Sequence, residues 1–150
     1  MELAEIGKNI LINCMNVKPG ENVLIVTDDE KYAIGQALYQ AAKLLKAEAM
    51  LMTMPAREVS GQEPPAVVAA AMKAADVVIC PMKTSITHTR AKIEAAEAGA
   101  RIATMPGITE EMFAMGAMTA DYSRVMALTE QVTDLLTNAN TARIEKDGHV

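Results

Sequence analysis

Two short runs of almost uninterrupted apolar residues constrain the fold of this chain more than any other feature. They lie within Asn22–Thr27 and Asp76–Cys80, and each has the length of a β-strand rather than of a helix. Strands that are apolar at consecutive positions are buried on both faces, as in parallel sheets. An α/β domain is therefore the first expectation.

The rest of the chain alternates between strand-length and helix-length patterns. Glu48–Met54 and Arg101–Met105 predict two more strands, and apolar residues at helical spacing fill the intervals. Turn formers such as Lys18-Pro-Gly20 separate the segments. Because parallel strands need right-handed crossovers, we predict a Rossmann-like, doubly wound, mainly parallel sheet of about four strands with helices on both faces.

Two helices are predicted after the fourth strand. Thr109 is expected to cap a first helix that runs through Met118, and Asp121 a second one. The apolar stripe of the second helix is Val125, Leu128, Val132, Leu135 and Leu136.

The last ten residues do not fit the α/β pattern. Residues 141–150 look like a strand that enters a turn at Asp147-Gly148, with a second strand just begun. We expect an N-terminal domain over residues 1–140 and the start of a following domain over residues 141–150.

Composition excludes several classes of partner. The chain has a net charge of -5, no Trp, one Phe and three Tyr. Phosphate neutralisation requires clustered cations, and base stacking requires aromatic rings, so we expect no nucleic-acid partner.

The N-terminus and the cysteines bear on the cellular compartment. Met1–Glu5 lacks the basic start of a secretory signal, and no apolar run approaches the roughly 20 residues that cross a bilayer. We expect a cytoplasmic protein without membrane contact. Cys14 and Cys80 are both expected to be buried thiols.

The segment Lys83–Arg90 is the strongest candidate for a functional site, because ligands bind beyond the carboxyl ends of parallel strands. His88 is the candidate catalytic residue, since an imidazole there can exchange a proton with a substrate near neutral pH. The candidate substrate-binding residues are Lys83, Thr84, Ser85, Thr87, Thr89 and Arg90, with Thr27 and Asp28 at the end of the first strand.

Several of these candidates also have a structural interpretation. Thr87 or Thr89 can cap the following helix, and Arg90 can pair with Glu94 one turn later. Asp28 can cap the helix after the first strand. His88, likewise, can serve only to satisfy backbone groups of its loop.

Neither a metal centre nor a classical dinucleotide site is expected within these residues. His88 and His149 are the only histidines, and no His-Glu-x-x-His pair is present. Acidic residues in Val26–Glu30 occupy the place of a Gly-rich phosphate loop.

Five local strings, which together cover nearly the whole chain, are informative in their order and spacing: Val17–Ile25, Ala75–Ile79, Thr87–Ala91, Ala98–Ile102 and Ile144–Gly148. They resemble the N-terminal domain of the thermophilic metalloaminopeptidase family, also called leucyl aminopeptidase or aminopeptidase T. The resemblance extends to ring-opening dioxygenases of hydroxylated pyridines, which share this architecture.

The aminopeptidase resemblance implies a hydrolase that removes N-terminal residues from peptides, with this chain as one wall of the cleft. A divalent metal, zinc, cobalt or iron, would be bound only in a following C-terminal domain, so this chain alone is expected to be inactive. The resemblance also implies a homo-oligomer, such as a homodimer. The alternatives are an iron-dependent hydroxypyridine dioxygenase, and a non-catalytic module that binds a small ligand or a protein.

Overall fold

Four parallel β-strands form one sheet in the computed structural model, which describes residues 3–149. The strands are β1 (Asn22–Asp28), β2 (Glu48–Met54), β3 (Val77–Met82) and β4 (Arg101–Pro106). The helices are α1 (Leu3–Asn13), α2 (Tyr32–Leu44), α3 (Ala66–Ala74), α4 (Arg90–Glu97), α5 (Glu110–Ala114) and α6 (Tyr122–Thr137), with a 3₁₀ helix at Gly116–Thr119.

The strand order across the sheet is β2-β1-β3-β4, with every neighbouring pair parallel. The chain leaves β1 toward β2 on one side and then returns past β1 to β3 on the other. The direction of winding therefore reverses between β1 and β3, which is the position where doubly wound sheets bind ligands. The predicted Rossmann-like α/β class is confirmed.

Side chains of each central strand alternate between two apolar layers, because successive residues of a strand point to opposite faces. Val23 and Ile25 of β1 pack with α1 and α2, whereas Leu24 and Val26 pack with α3 and α4. All four side chains are at most 1% exposed. Phe113 of α5 is fully buried in the first layer.

Strand β3 begins one residue later and ends two residues later than the sequence predicted. It continues through Pro81 and Met82 because both remain in register with β4. Its pairing with β1, in contrast, ends at Ile79. Beyond that point the Thr27 hydroxyl donates to the Pro81 carbonyl over 2.9 Å, so a side chain replaces the backbone ladder.

The starts of α5 and α6 agree with the sequence predictions, whereas the end of α5 does not. Thr109 and Asp121 accept amide hydrogen bonds at the starts of α5 and α6, so both predicted caps are confirmed. The first of these helices stops at Ala114 rather than Met118. Gly116 has a φ of +71°, a left-handed conformation that interrupts the helix.

The two cysteines differ in their surroundings. Cys80 is buried as predicted, whereas the prediction for Cys14 is wrong because that thiol is exposed. Cys14 follows the last residue of α1 and lies beyond its buried face, which ends at Leu11.

The chain divides into two compact units, one that ends at Thr119 and one that begins at Ala120. Within the second unit no residue of α6 is buried. The predicted turn forms at Asp147-Gly148, flanked by one antiparallel bridge between Lys146 and His149. The predicted strand before it is absent from the described residues, and Val150 lies outside them. A following domain over residues 141–150 stays a prediction.

No helix within residues 3–149 is both long enough and apolar enough to cross a membrane.

Candidate functional site

Two loops meet at the carboxyl edge of the sheet: residues 55–65 after β2 and residues 83–89 after β3. We call them the edge loops. The Gly61 amide donates to the Ser85 carbonyl over 2.8 Å, and the Ser85 amide donates to Ser60 Oγ over 3.2 Å. The Thr84 hydroxyl reaches the Arg57 carbonyl over 3.4 Å. The segment predicted to carry the site is therefore held against a second loop.

A chain of three hydroxyl groups fixes the middle of the second edge loop. Ser85 Oγ donates to Thr87 Oγ1 over 2.9 Å and accepts the Thr87 amide over 3.1 Å. Thr87 Oγ1 also shares a 2.8 Å hydrogen bond with Thr104 of β4. Thr84, Ser85 and Thr87 are all half-buried. Each of these hydroxyls already makes an internal hydrogen bond, and each keeps further hydrogen-bonding capacity for a ligand.

The start of α4 has no free amides to offer a ligand. Thr89 is buried and caps the helix through the Lys92 amide, which confirms the structural interpretation of this residue. Glu63, from the first edge loop, accepts the amides of Arg90 and Ala91 over 2.6 and 3.2 Å. A ligand that approached this helix start would have to displace Glu63 from these two amides.

Thr27 and Asp28, at the end of β1, are fully buried. The Asp28 carboxylate accepts the Lys31 amide over 3.0 Å and the Lys83 amide over 2.6 Å. It thus ties the entry of α2 to the second edge loop. A substrate-binding role for these two residues stays a prediction, and direct contact would require this edge to rearrange.

The two cations of the predicted site are engaged in surface ion pairs. Lys83 Nζ lies 2.6 Å from Glu30 Oε1, and this hydrogen bond raises the pKa of Lys83. Arg90 pairs with Glu94 over 3.7 Å, as its helical spacing predicted. Both pairs are largely exposed, so either cation can exchange its partner for an anionic ligand at little cost.

His88 is exposed in the second edge loop, two residues before α4 begins. Among the described residues its imidazole has no hydrogen-bond partner. It is therefore accessible to a substrate that approaches this edge of the sheet, and it is not needed to satisfy the backbone of its loop.

Sequence reasoning missed two residues of this region, Arg57 and Glu63. Arg57 Nε is buried without a hydrogen-bond partner within the described part of the chain. A buried guanidinium N–H without an acceptor is costly, so this atom suits an anionic or carbonyl oxygen from outside the chain. The available signal was that Arg57 is the only basic residue between β2 and α3.

The described part of the first unit also contains hollows away from the second edge loop. A groove of about 680 Å³ runs beside β2, with Met50, Met52, Tyr39 and Ala71 among its lining residues. It includes none of the predicted site residues. A smaller hollow of about 180 Å³ lies at the carboxyl edge, on the α2 side of the sheet, and is lined by Glu30, Lys31, Ala33, Ile34, Ile108, Thr109 and Glu110.

The described residues do not supply a metal centre. Within residues 3–149, no three His, Cys, Asp or Glu side chains lie close enough together to hold a metal ion. The residues present therefore do not fit a resident iron, and we derive no catalytic step through one.

A doubly wound α/β domain with a parallel sheet and helices on both faces belongs to the class of Rossmann-like domains. Within that class, the chain belongs to the NicX family, described as 2,5-dihydroxypyridine 5,6-dioxygenase, whose model matches residues 2–148.

A solved structure of 2,5-dihydroxypyridine dioxygenase from Pseudomonas putida KT2440 has the same fold. It aligns with a TM-score of 0.56 at 20% identity, over 69% of this chain and 33% of that chain. This chain therefore spans about a third of the length of that structure. None of the curated proteins matches the chain in sequence.

The family match corrects the expected chemistry. The prediction of a hydrolase, an aminopeptidase or metalloprotease, is wrong, because the matching family is one of dioxygenases. Four of the five strings that carried the resemblance, such as Val17–Ile25, lie in turns, strands and a helix start of the α/β unit. Such elements specify packing rather than reaction, and so they did not separate the two chemistries.

Proposed function

We propose that this chain contributes one wall of the substrate cleft in an enzyme that opens the ring of a hydroxylated pyridine with dioxygen. The observation that carries the proposal is the family match over residues 2–148. The chain's own residues would bind and orient the substrate, and any iron would be held by residues outside the described set.

His88 is proposed to exchange a proton with a ring hydroxyl of the substrate. Support comes from its exposure in the second edge loop and from the bonds that hold this loop in place. An exposed imidazole on a fixed loop can accept a hydroxyl proton and return it without a change in the backbone.

Arg57 is proposed to bind an anionic oxygen. Oxidative cleavage beside a ring hydroxyl converts that carbon to a carboxylate, and a guanidinium binds a carboxylate through two parallel N–H bonds. The unpartnered Nε of Arg57 supports this role. Its carbonyl already accepts the Thr84 hydroxyl, so both edge loops would contribute to this subsite.

The test uses the full-length protein supplied with ferrous iron. Oxygen uptake and loss of the ring absorbance are followed with 2,5-dihydroxypyridine as substrate. We expect turnover, which His88→Asn lowers about a hundredfold, as is typical when a general acid or base is lost. Arg57→Met should chiefly raise KM.

His149→Asn is the matched control, because His149 is the other histidine of this sequence, is exposed and lies in the second unit. It should leave kcat within about twofold of the original, as surface substitutions usually do. A folded, iron-supplied protein that binds hydroxypyridines without consuming oxygen would overturn the proposed reaction. Normal turnover in His88→Asn would overturn the role of His88 alone.

A further inference from the structure

We propose that residues 55–63, the larger part of the first edge loop, are a lid that opens as one unit and that Glu63 holds closed. The starting observation is that Arg57 Nε is buried and has no hydrogen-bond partner among the described residues. An oxygen from outside the chain can reach this atom only when its surroundings move. The anionic ligand that the lid admits rests on the proposed function, whereas the motion itself follows from contacts within the chain.

Polar contacts, rather than apolar packing, hold the lid in place. Neither buried core cluster includes any of its residues, and Val59, its largest apolar side chain, is 63% exposed. The flanking residues Met54 and Pro64, in contrast, are both buried. The lid therefore has two fixed ends and no apolar layer between them. Segments of this kind open locally at a lower free energy than the core beneath them.

Backbone amides on both sides of the contact join the lid to the rest of the first unit. Those that donate across it belong to Ala56, Gly61, Ser85, Arg90 and Ala91, which we call the reporter amides. If the lid moves as one unit, these hydrogen bonds break together. Each reporter amide then exchanges its proton with water at a rate set by the same opening equilibrium.

Glu63 makes the strongest of these contacts. Its carboxylate accepts the Arg90 amide over 2.6 Å and the Ala91 amide over 3.2 Å, and such charge-assisted bonds are roughly twice as strong as neutral ones. The positive end of the α4 dipole adds to the attraction. Glu63 is exposed, so opening returns the carboxylate to water without leaving a buried charge. The contact is therefore both firm and reversible.

Opening the lid would free groups on both edge loops. Ser85 would lose the lid partners of its amide and its carbonyl, and the Thr84 hydroxyl would lose the Arg57 carbonyl. These groups lie along the contact between the two edge loops. A ligand that enters there would meet the Arg57 guanidinium and the second edge loop together.

Hydrogen exchange followed by NMR tests the motion without a substrate. We expect the reporter amides and the Arg57 Nε proton to share one opening constant in the original protein. This constant should be at least about tenfold larger than that of the amides in the central strands β1 and β3. Low concentrations of urea should change it little, because local opening exposes little surface.

Glu63→Gln keeps the size of the side chain but replaces one acceptor oxygen with an NH₂ group. It should speed the exchange of all reporter amides about tenfold to a hundredfold, since hydrogen bonds to a charged group are lost. Ala56, Gly61 and Arg57 form no described hydrogen bond with Glu63, so their acceleration is the decisive observation.

Glu58→Gln is the matched control. It makes the same change at an exposed residue of the lid that has no hydrogen bond or ion pair within the described part of the chain. It should alter the exchange rates less than about twofold. Circular dichroism and urea unfolding should show that both variants remain folded.

Acceleration confined to Arg90 and Ala91 would overturn the lid as a single unit. Reporter amides as protected as those of β1 and β3 would overturn the motion, and this result needs no variant. A protein that shows the expected exchange but does not turn over hydroxypyridines would retain the lid and overturn only the reaction assigned to the site.

Discussion

At the scale of single residues, Asp28 shows how one buried carboxylate can organise a strand edge. Its two oxygens accept amides from Lys31 and Lys83, which lie 52 positions apart in the sequence. The sequence predicted a cap at Asp28, and this is partly what it provides, since Lys31 immediately precedes α2. The second bond could not be predicted because it depends on the pairing of β1 with β3.

We expect Asp28→Asn to lower the free energy of unfolding by about 2–4 kcal/mol, because one buried amide would then face the side-chain NH₂ group instead of an acceptor. Urea unfolding monitored by circular dichroism measures the change.

Asp29→Asn is the matched control. Asp29 accepts the Ala56 amide at an exposed position, so its loss should cost less than about 1 kcal/mol. An equal loss in the free energy of unfolding for the two variants would show that the burial of Asp28 adds nothing to the stability of the fold.

At the scale of elements, α2 lies unusually close to β1 because of Gly35. A Cβ atom at this position would lie 2.8 Å from Thr27 Cγ2 and 2.9 Å from Thr27 Cβ. The glycine therefore permits the close approach that brings the start of α2 within reach of Asp28. A glycine inside a helix is otherwise unfavourable, so its presence at this position is explained by the close contact with Thr27.

Gly35→Ala should lower the free energy of unfolding by about 1–3 kcal/mol, because the branched side chain of Thr27 sits on a central strand and cannot move aside. The usual gain of alanine over glycine within a helix is then outweighed. Thermal and urea unfolding test this expectation. Gln36→Ala, an exposed neighbour in the same helix, should be neutral or slightly stabilising, and a stabilised Gly35→Ala would contradict the packing argument.

The elements could be predicted from the sequence where local pattern and tertiary burial agree. Strand β2 has the predicted bounds, and Thr109 and Asp121 cap the predicted helices. The extension of β3 through Pro81 could not be predicted, because it results from register with β4. The burial of Cys14 was predicted wrongly for a similar reason, because helical spacing alone does not show where the contact between a helix and the layer beneath it ends.

For the candidate site, the sequence located the loop but not its internal bonds. Thr89 as cap and the Arg90–Glu94 pair follow from spacing within α4. The contacts of Arg57 and Glu63 join segments that are distant in the chain, and so they required the folded arrangement of β2 and β3.

At the scale of the whole first unit, a polar cluster joins the amino ends of three strands to the segment that follows α1. Arg101 donates to Glu21 over 2.6 Å and to the Met15 carbonyl over 3.0 Å. Asp76 accepts the backbone and side-chain amides of Asn22. The hydrogen bond from Arg101 lowers the pKa of Glu21, and that from the Asn22 amide lowers the pKa of Asp76.

This cluster predicts a loss of stability in acid. A carboxyl group whose pKa is lower in the folded state stabilises the fold above its ordinary pKa. That contribution disappears as the pH falls through the lowered value. The ordinary values are 4.5 for Glu21 and 3.8 for Asp76, so the urea midpoint should fall as the pH drops below them.

Glu21→Gln should flatten this pH dependence, whereas Glu48→Gln, at an exposed position on the same edge of the sheet, should leave it unchanged. Midpoints measured at intervals from neutral pH into the acid range provide the comparison. An identical acid response in Glu21→Gln would contradict the assignment of the effect to the Arg101 contact.

The shared carboxylate of Asp28 has one more consequence. It accepts one hydrogen bond from the loop before α2, which packs on one face of the sheet, and one from the loop before α4, which packs on the other face. Neither loop can shift outward without pulling on the other through a single rigid side chain. A displacement of either loop is therefore transmitted to the other, so a movement that admits a ligand on one face of the sheet also displaces the loop on the other face.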